Sequence, residues 1–146
     1  MFPCPCCGYK TLSEREIWDI CPVCGWEDDH VQSKNPAYTG GANKESLNQA
    51  KEAWGQKSIM VSILNNDEGG LENIYKRLSI DLKFPPYFGN NLDALDECLA
   101  DYVKNVCIVW NNSEQAKISL GENFDKLVEV IDFASKENPN LKLVLR

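Results

Sequence analysis

The stretch "FPPYFGNNLDALDECLADY", residues 84–102, sets a proline-stiffened aromatic turn directly before a short helix that carries four acids. Pro85 and Pro86 end any helix that arrives from the N-terminal side, because proline has no amide donor and restricts the residue before it. Asn90 or Asn91 can cap a new helix. At about 100° per residue, Leu92, Leu95, Cys98, Leu99 and Tyr102 fall on one side of that helix. Asp93, Asp96, Glu97 and Asp101 fall within about 140° on the other. The spacing predicts a helix over Leu92–Tyr102 that buries leucines and presents carboxylates.

Outward from this stretch, strand and helix signals alternate. "SIMVSIL" (58–64) reads as a buried strand and "NNDEGG" as a turn. Leu71, Ile74, Tyr75, Leu78 and Leu82 repeat at helical spacing. After the acidic helix, "NVCIVW" (105–110) reads as a second strand, and residues 111–123 as a loop or a short irregular helix. Phe124, Leu127, Val128, Ile131 and Ala134 mark a last amphipathic helix that stops at Asn138-Pro139, and "LKLVLR" closes the chain as a third strand. The class implied is α/β, with a mainly parallel sheet.

Residues 1–56 follow different rules. They are rich in Cys, Gly and Pro, and one helical pattern begins near "GGANKESLNQAKEAWG", with Asn43 as N-cap, Leu47, Ala50 and Trp54 on one face and Gly55 as the stop. A boundary is expected near Gly55–Ser58, which divides the chain into a cysteine-rich domain, 1–56, and an α/β domain, 57–146. Five of the seven cysteines lie within the first 24 residues. Cys4-Pro-Cys-Cys7-Gly8 and Cys21-Pro-Val-Cys24-Gly25 are two copies of one turn, in which glycine permits a tight backbone and two sulfurs converge. Cys4, Cys7, Cys21 and Cys24 are therefore the expected ligands of a structural zinc; iron, held by the same four thiolates, is the alternative. Four sulfurs fill a tetrahedron and leave no open position for substrate, so the site is not expected to be catalytic. Cys6 is left as a spare thiol. His30, beside Glu27, Asp28 and Asp29, reads as a solvated surface residue.

The chain has 146 residues and a formal net charge of −7. Such a surface repels phosphate backbones, so direct nucleic-acid binding is not expected, and a basic protein is the better electrostatic match. No apolar run reaches the length of a bilayer span, which argues against a membrane partner. The first ten residues lack the basic and apolar regions of a signal peptide, so the expected compartment is the cytoplasm. No nucleophile, second histidine or phosphate-binding glycine loop accompanies the carboxylates, so no enzymatic activity is expected.

Two resemblances extend this reading. "CPCCGY", "CPVCGWEDD" and "GGANKESL", over most of residues 1–50, resemble the small bacterial cysteine-rich domains named after their CPCC motif, which implies metal binding. Residues 58–146 resemble the barstar family of intracellular ribonuclease inhibitors, most strongly in "PPYFGNNLDALDECL" and in the order of strands and helices. That resemblance implies a three-stranded parallel sheet packed on helices, following a small zinc-ribbon or knuckle domain. It also implies inhibition of a basic ribonuclease toxin by an acidic helix and the loop before it, the role of an immunity protein. Carried over by position, Tyr87, Asn91, Leu92, Asp93 and Glu97 are the implied partner contacts, and the carboxylate arc adds Asp96 and Asp101. Glu97 stands where the best-known members have the shorter Asp, Asp96 where barstar has tryptophan, and Phe133 where a further acidic contact aligns. These departures point to a related basic nuclease as partner. The alternative of a different class is a zinc-ribbon adaptor that binds a non-nuclease protein through residues 1–56.

Overall fold

The computed structural model describes residues 1–146. They form two compact units, Met1–Lys57 and Ser58–Arg146.

The first unit is built on hydrogen-bonded turns. Strands β1 (Phe2–Pro3) and β2 (Lys10–Leu12) pair antiparallel on either side of the first cysteine turn. Ile20 and Glu27 bridge across the second turn in the same sense. A short helix that sequence periodicity did not signal, α1 (His30–Lys34), starts at Asp29, whose carboxylate accepts from the Val31 and Gln32 amides. The other oxygen of Asp29 accepts from the Ala42 amide at 2.8 Å, and that bond, ahead of the α1 amides, holds the carboxyl below its usual range. Gly41 is required at this crossing, since a Cβ there would lie 2.5 Å from Asp29 Oδ2.

Helix α2 (Leu47–Gly55) has its N-cap three residues after the expected Asn43. Ser46 is the N-cap, in a reciprocal capping box with Gln49, because its hydroxyl reaches the Gln49 amide while the Gln49 side chain reaches back. Asn43 is engaged elsewhere. It accepts from the Glu27 amide and donates to the Glu27 carbonyl and to the buried Gln32 side chain. Gln32 directs its amide group at the carbonyls of Tyr38, Asn43 and Glu45. This network does the work that an apolar core does elsewhere, since the buried apolar residues of the unit are Cys4, Leu12, Cys21, Trp26 and Leu47.

In the second unit, β3 (Ile59–Asn65), β4 (Asn105–Asn111) and β5 (Leu141–Leu145) form a parallel sheet with β4 in the centre. The near-continuous apolar run of β4 fits this position, where Val106 to Trp110 are all buried. Helices α3 (Leu71–Asp81) and α4 (Leu92–Ala100) connect β3 to β4, and α5 (Ser113–Leu120) and α6 (Glu122–Glu137) connect β4 to β5. Leu64, Ile74, Leu78, Leu82, Leu95, Leu99, Ile108, Leu127 and Ile131 have no exposed surface and form one core. Trp110 tilts against Phe124, with ring centroids 4.8 Å apart, and its indole donates to the Asn66 carbonyl at 2.7 Å. Residues 113–120, expected as a loop or irregular helix, are a regular helix, entered through Asn112 in the left-handed region (φ 54°).

Helix α4 is anchored at both ends. At its start, Asn91 accepts from the Ala94 amide at 2.9 Å. At its end, the buried Asn138 donates to the carbonyls of Leu99 and Tyr102 and fastens the α4 terminus to that of α6. The helix is two residues shorter than periodicity implied, because Asp101 leaves helical geometry as the C-cap. Tyr102 instead turns its hydroxyl onto the carbonyl of Leu82, the residue that caps α3.

Burial pushes the Tyr102 phenol up from 10.0 to about 12. The folded state favours the neutral phenol, so this stabilisation is complete below pH 10 and is lost as pH rises through about 12. Urea unfolding at increasing pH should show that decline. Tyr102→Phe should flatten most of it while costing about 1 kcal/mol at neutral pH, with Tyr75, also raised by burial, accounting for the remainder.

Candidate functional site

The turn before α4 sorts its aromatics by local geometry. The Phe88 amide bonds to the Pro85 carbonyl and closes a turn that sends alternate side chains in opposite directions. Phe88 packs inward, 4.8 Å from the Phe84 ring and 6.0 Å from that of Tyr75. Tyr87 points out, with 85% of its surface exposed. Two further features lock the turn onto the helix. Asn90 takes a left-handed conformation (φ 50°), and Gly89 admits the Asn91 side chain, whose Nδ2 would lie 2.8 Å from a Cβ at that position. The glycine and two asparagines of "FGNN" are thus a structural device that starts α4 directly after an exposed ring.

On α4 Asp93 and Glu97 are exposed and Asp96 is half-buried, and the C-cap Asp101 is exposed. None of the four joins an ion pair, and the five ion pairs of the chain use Glu16, Glu68, Asp125, Glu122 and Asp132. Asp93 lies in the first turn, where the helix dipole favours it. Asp101 sits at the opposite end, where the dipole opposes a negative charge and the last turn has no basic residue.

Tyr87, Glu97 and Asp101 line one groove of about 260 Å³. Its remaining walls are Lys83, Phe84, Pro85, Cys98 and Tyr102. Burial, then the charges of Glu97 and Asp101, push the Cys98 thiol up. The other expected contact residues stand outside this groove. Asn91 spends its side chain on the cap, Leu92 is half-buried against the core, and Asp93 and Asp96 lie nearer the start of the helix. Lys83 went unread in the sequence. Its place on the groove depends on a left-handed backbone (φ 54°) just after α3, which a lysine does not advertise. Phe133 is exposed on α6, the helix against which α4 packs.

The second site is the cysteine cluster of the first unit. The two turns are built alike: Gly8 donates to Cys4 and Gly25 to Cys21, while Cys4 bonds to Tyr9 and Cys21 to Trp26. Both glycines have φ 80°, a value that a side chain strains. The sulfurs of Cys4, Cys7, Cys21 and Cys24 all lie within 4.8 Å of one another, with Cys4–Cys24 and Cys7–Cys21 each at 3.6 Å. A tetrahedral thiolate site with bonds of about 2.3 Å has edges of about 3.8 Å, so the four sulfurs fit such an ion. Without an ion, their mutual contacts leave the four sulfurs unequal. Cys24, Cys4 and Cys7 hydrogen-bond the Cys21 sulfur and lower its affinity for a proton, whereas bonds to Cys21 raise the thiols of Cys4 and Cys7. Four thiolates coexist at this spacing only around a cation. Thr11, fully buried, adds a hydroxyl 3.0 Å from the Cys21 sulfur. Cys6 stands outside the cluster, and burial pushes its thiol up. His30 is no ligand: its Nδ1 meets Glu16 at 2.5 Å, with both side chains nearly half exposed.

No helix of the chain is long and apolar enough to cross a membrane. Comparison with known proteins finds a family match over each of the two units. The family model "Cysteine-rich CPCC" matches residues 2–61, and the model "Barstar (barnase inhibitor)" matches residues 69–146. A Bacillus subtilis (strain 168) protein described as "Putative ribonuclease inhibitor YrdF" is 36% identical over 78 residues, which cover 53% of this chain and 86% of that protein. With its three-stranded parallel sheet, its acidic helix and a match over more than half its length, the chain belongs to the barstar family, behind an N-terminal CPCC-type domain.

Proposed function

We propose that the chain inhibits a bacterial ribonuclease by covering its basic active site with α4 and the turn before it, and that it serves in the cytoplasm as the immunity protein against a ribonuclease toxin. One observation carries this reading. Four carboxylates on or next to a nine-residue helix have no cation partner in their own molecule, and an 85% exposed tyrosine stands beside them. Asp93 with Glu97, and Glu97 with Asp101, are like-charge neighbours four residues apart, each pair costing roughly 0.2–0.5 kcal/mol. A cleft rich in Arg and Lys removes that cost and supplies the cation that the C-terminal end of α4 lacks.

In this reading the carboxylates take the places of RNA phosphates, since both are oxyanions that a guanidinium grips through two parallel hydrogen bonds. The groove between Tyr87 and the Glu97 and Asp101 carboxylates suits one cationic side chain, held by an aromatic face and two charges. Leu92 and Asn91 contribute by fixing the start of the helix. The net charge of −7 steers a basic partner toward the molecule before contact. The inhibitor performs no chemistry, and occlusion suffices. The metal is read as zinc, because four cysteine thiolates in two short turns form a closed structural site with no open coordination position.

The decisive experiment captures the ribonuclease from the producing cell and assays RNA cleavage with the full chain present. Asp93→Lys combined with Glu97→Lys should weaken inhibition at least about 100-fold and leave the circular dichroism spectrum unchanged. Undiminished inhibition by that variant would overturn the proposal. A second measurement concerns the metal. Purified protein should be colourless and carry a single zinc ion per chain; Cys21→Ser should lose the ion and unfold the first unit, while Cys6→Ser keeps it. A visible absorption band with bound iron would replace zinc in this assignment.

A further inference from the structure

We propose that the hollow between α2 and the second cysteine turn of the first unit is a binding site for one arginine side chain presented by a basic polypeptide. Its volume is about 260 Å³. Small residues create it: Ala50 and Ala53 line it from α2, and Gly25 lines it from the turn. Larger side chains at those positions would fill the space.

The walls define the chemistry. Trp26 and Trp54 both border the hollow. Trp54 is held by the Tyr9 ring, which meets it edge-on at 6.4 Å and 85°. Trp26 is only 4% exposed, and its buried indole N–H meets no acceptor, a donor free for a carbonyl of the peptide that presents the arginine. Indole faces attract cations more strongly than other aromatic rings do, and a planar guanidinium can stack on them while a lysine ammonium cannot. Glu45 also lines the hollow and takes part in no ion pair. Its carboxylate matches the two-pronged donor edge of arginine. A purely apolar side chain would cover Glu45 without neutralising it.

Lys57 lines the same hollow with a charge of the wrong sign for this ligand. It therefore weakens the site, and its removal has a predictable direction. Glu45 and Lys57 are both exposed, so conservative substitutions there leave the fold intact.

The test uses the full chain with its metal bound. The indole N–H signals of Trp26 and Trp54 are followed by nuclear magnetic resonance during titration with the blocked peptide acetyl-Gly-Arg-Gly-amide. The same peptide with citrulline or lysine in place of arginine serves as comparison. Saturable shifts of these two signals are expected with the arginine peptide, weaker ones with lysine and none with citrulline. Glu45→Gln should weaken binding and Lys57→Gln should tighten it, each by about two- to tenfold. Trp54→Ala should weaken it by about three- to thirtyfold. Equal shifts with citrulline, tighter binding of lysine, shifts confined to Trp18 and Trp110, or no response to either Glu45→Gln or Lys57→Gln would each overturn the assignment. The last two variants keep the question decidable even where Trp54→Ala fails to fold.

Discussion

Helix α4 is clamped by two asparagines, and the character of its exposed face follows from that clamp. Asn91 satisfies an amide at the start, and Asn138 satisfies two carbonyls at the end from within a buried position. Leu95 and Leu99, without exposed surface, press the opposite face into the core. A nine-residue helix with repelling acids at i, i+4 would be marginal in isolation. Held at both ends and along one side, it has no freedom to relieve that repulsion by unwinding. The carboxylates therefore stay in a fixed arc, which is the preorganisation that strong ion recognition needs.

The turn before the helix obeys the same economy. Proline limits the backbone at residues 85 and 86, a left-handed Asn90 reverses it, and Gly89 lets the capping side chain approach. These constraints leave Tyr87 outside and Phe88 inside. An exposed ring next to unpaired charge is unfavourable for a free protein and useful at an interface, where aromatic anchors and desolvated charges carry much of the binding energy.

The cysteine-rich unit meets a different problem. With five buried apolar residues in its core, it cannot be stabilised mainly by burial. Instead it closes two identical turns around four sulfurs and ties the connecting loops with Asp29, Gln32 and Asn43, each of which satisfies several backbone groups. Small side chains on α2 then leave a hollow beside the second turn that nothing in this unit fills.

The amino-acid sequence alone determined a good deal of this protein. Apolar runs read at 58–64, 105–110 and 141–146 fall on the three strands, and helical spacing marked α3, α4 and α6, because buried strands and amphipathic helices each leave a local pattern. The paired Cys-Pro-x-Cys-Gly spacing singled out the four sulfurs that converge, because a turn is a local object whose geometry its own residues set. Other features were settled only by the tertiary structure. Ser46 displaced Asn43 as the cap of α2 because distant Glu27 and Gln32 compete for the Asn43 side chain. α1 is five residues long and depends on Asp29 reaching Ala42, a contact that no periodicity records. On the acidic face, spacing grouped all four carboxylates, but the fold gathered only Glu97 and Asp101 with Tyr87 around one groove and added Lys83 to it. A helical pattern says which side of a helix a residue occupies; which neighbours meet it there depends on the ends of other elements, and those are brought together by the packed core.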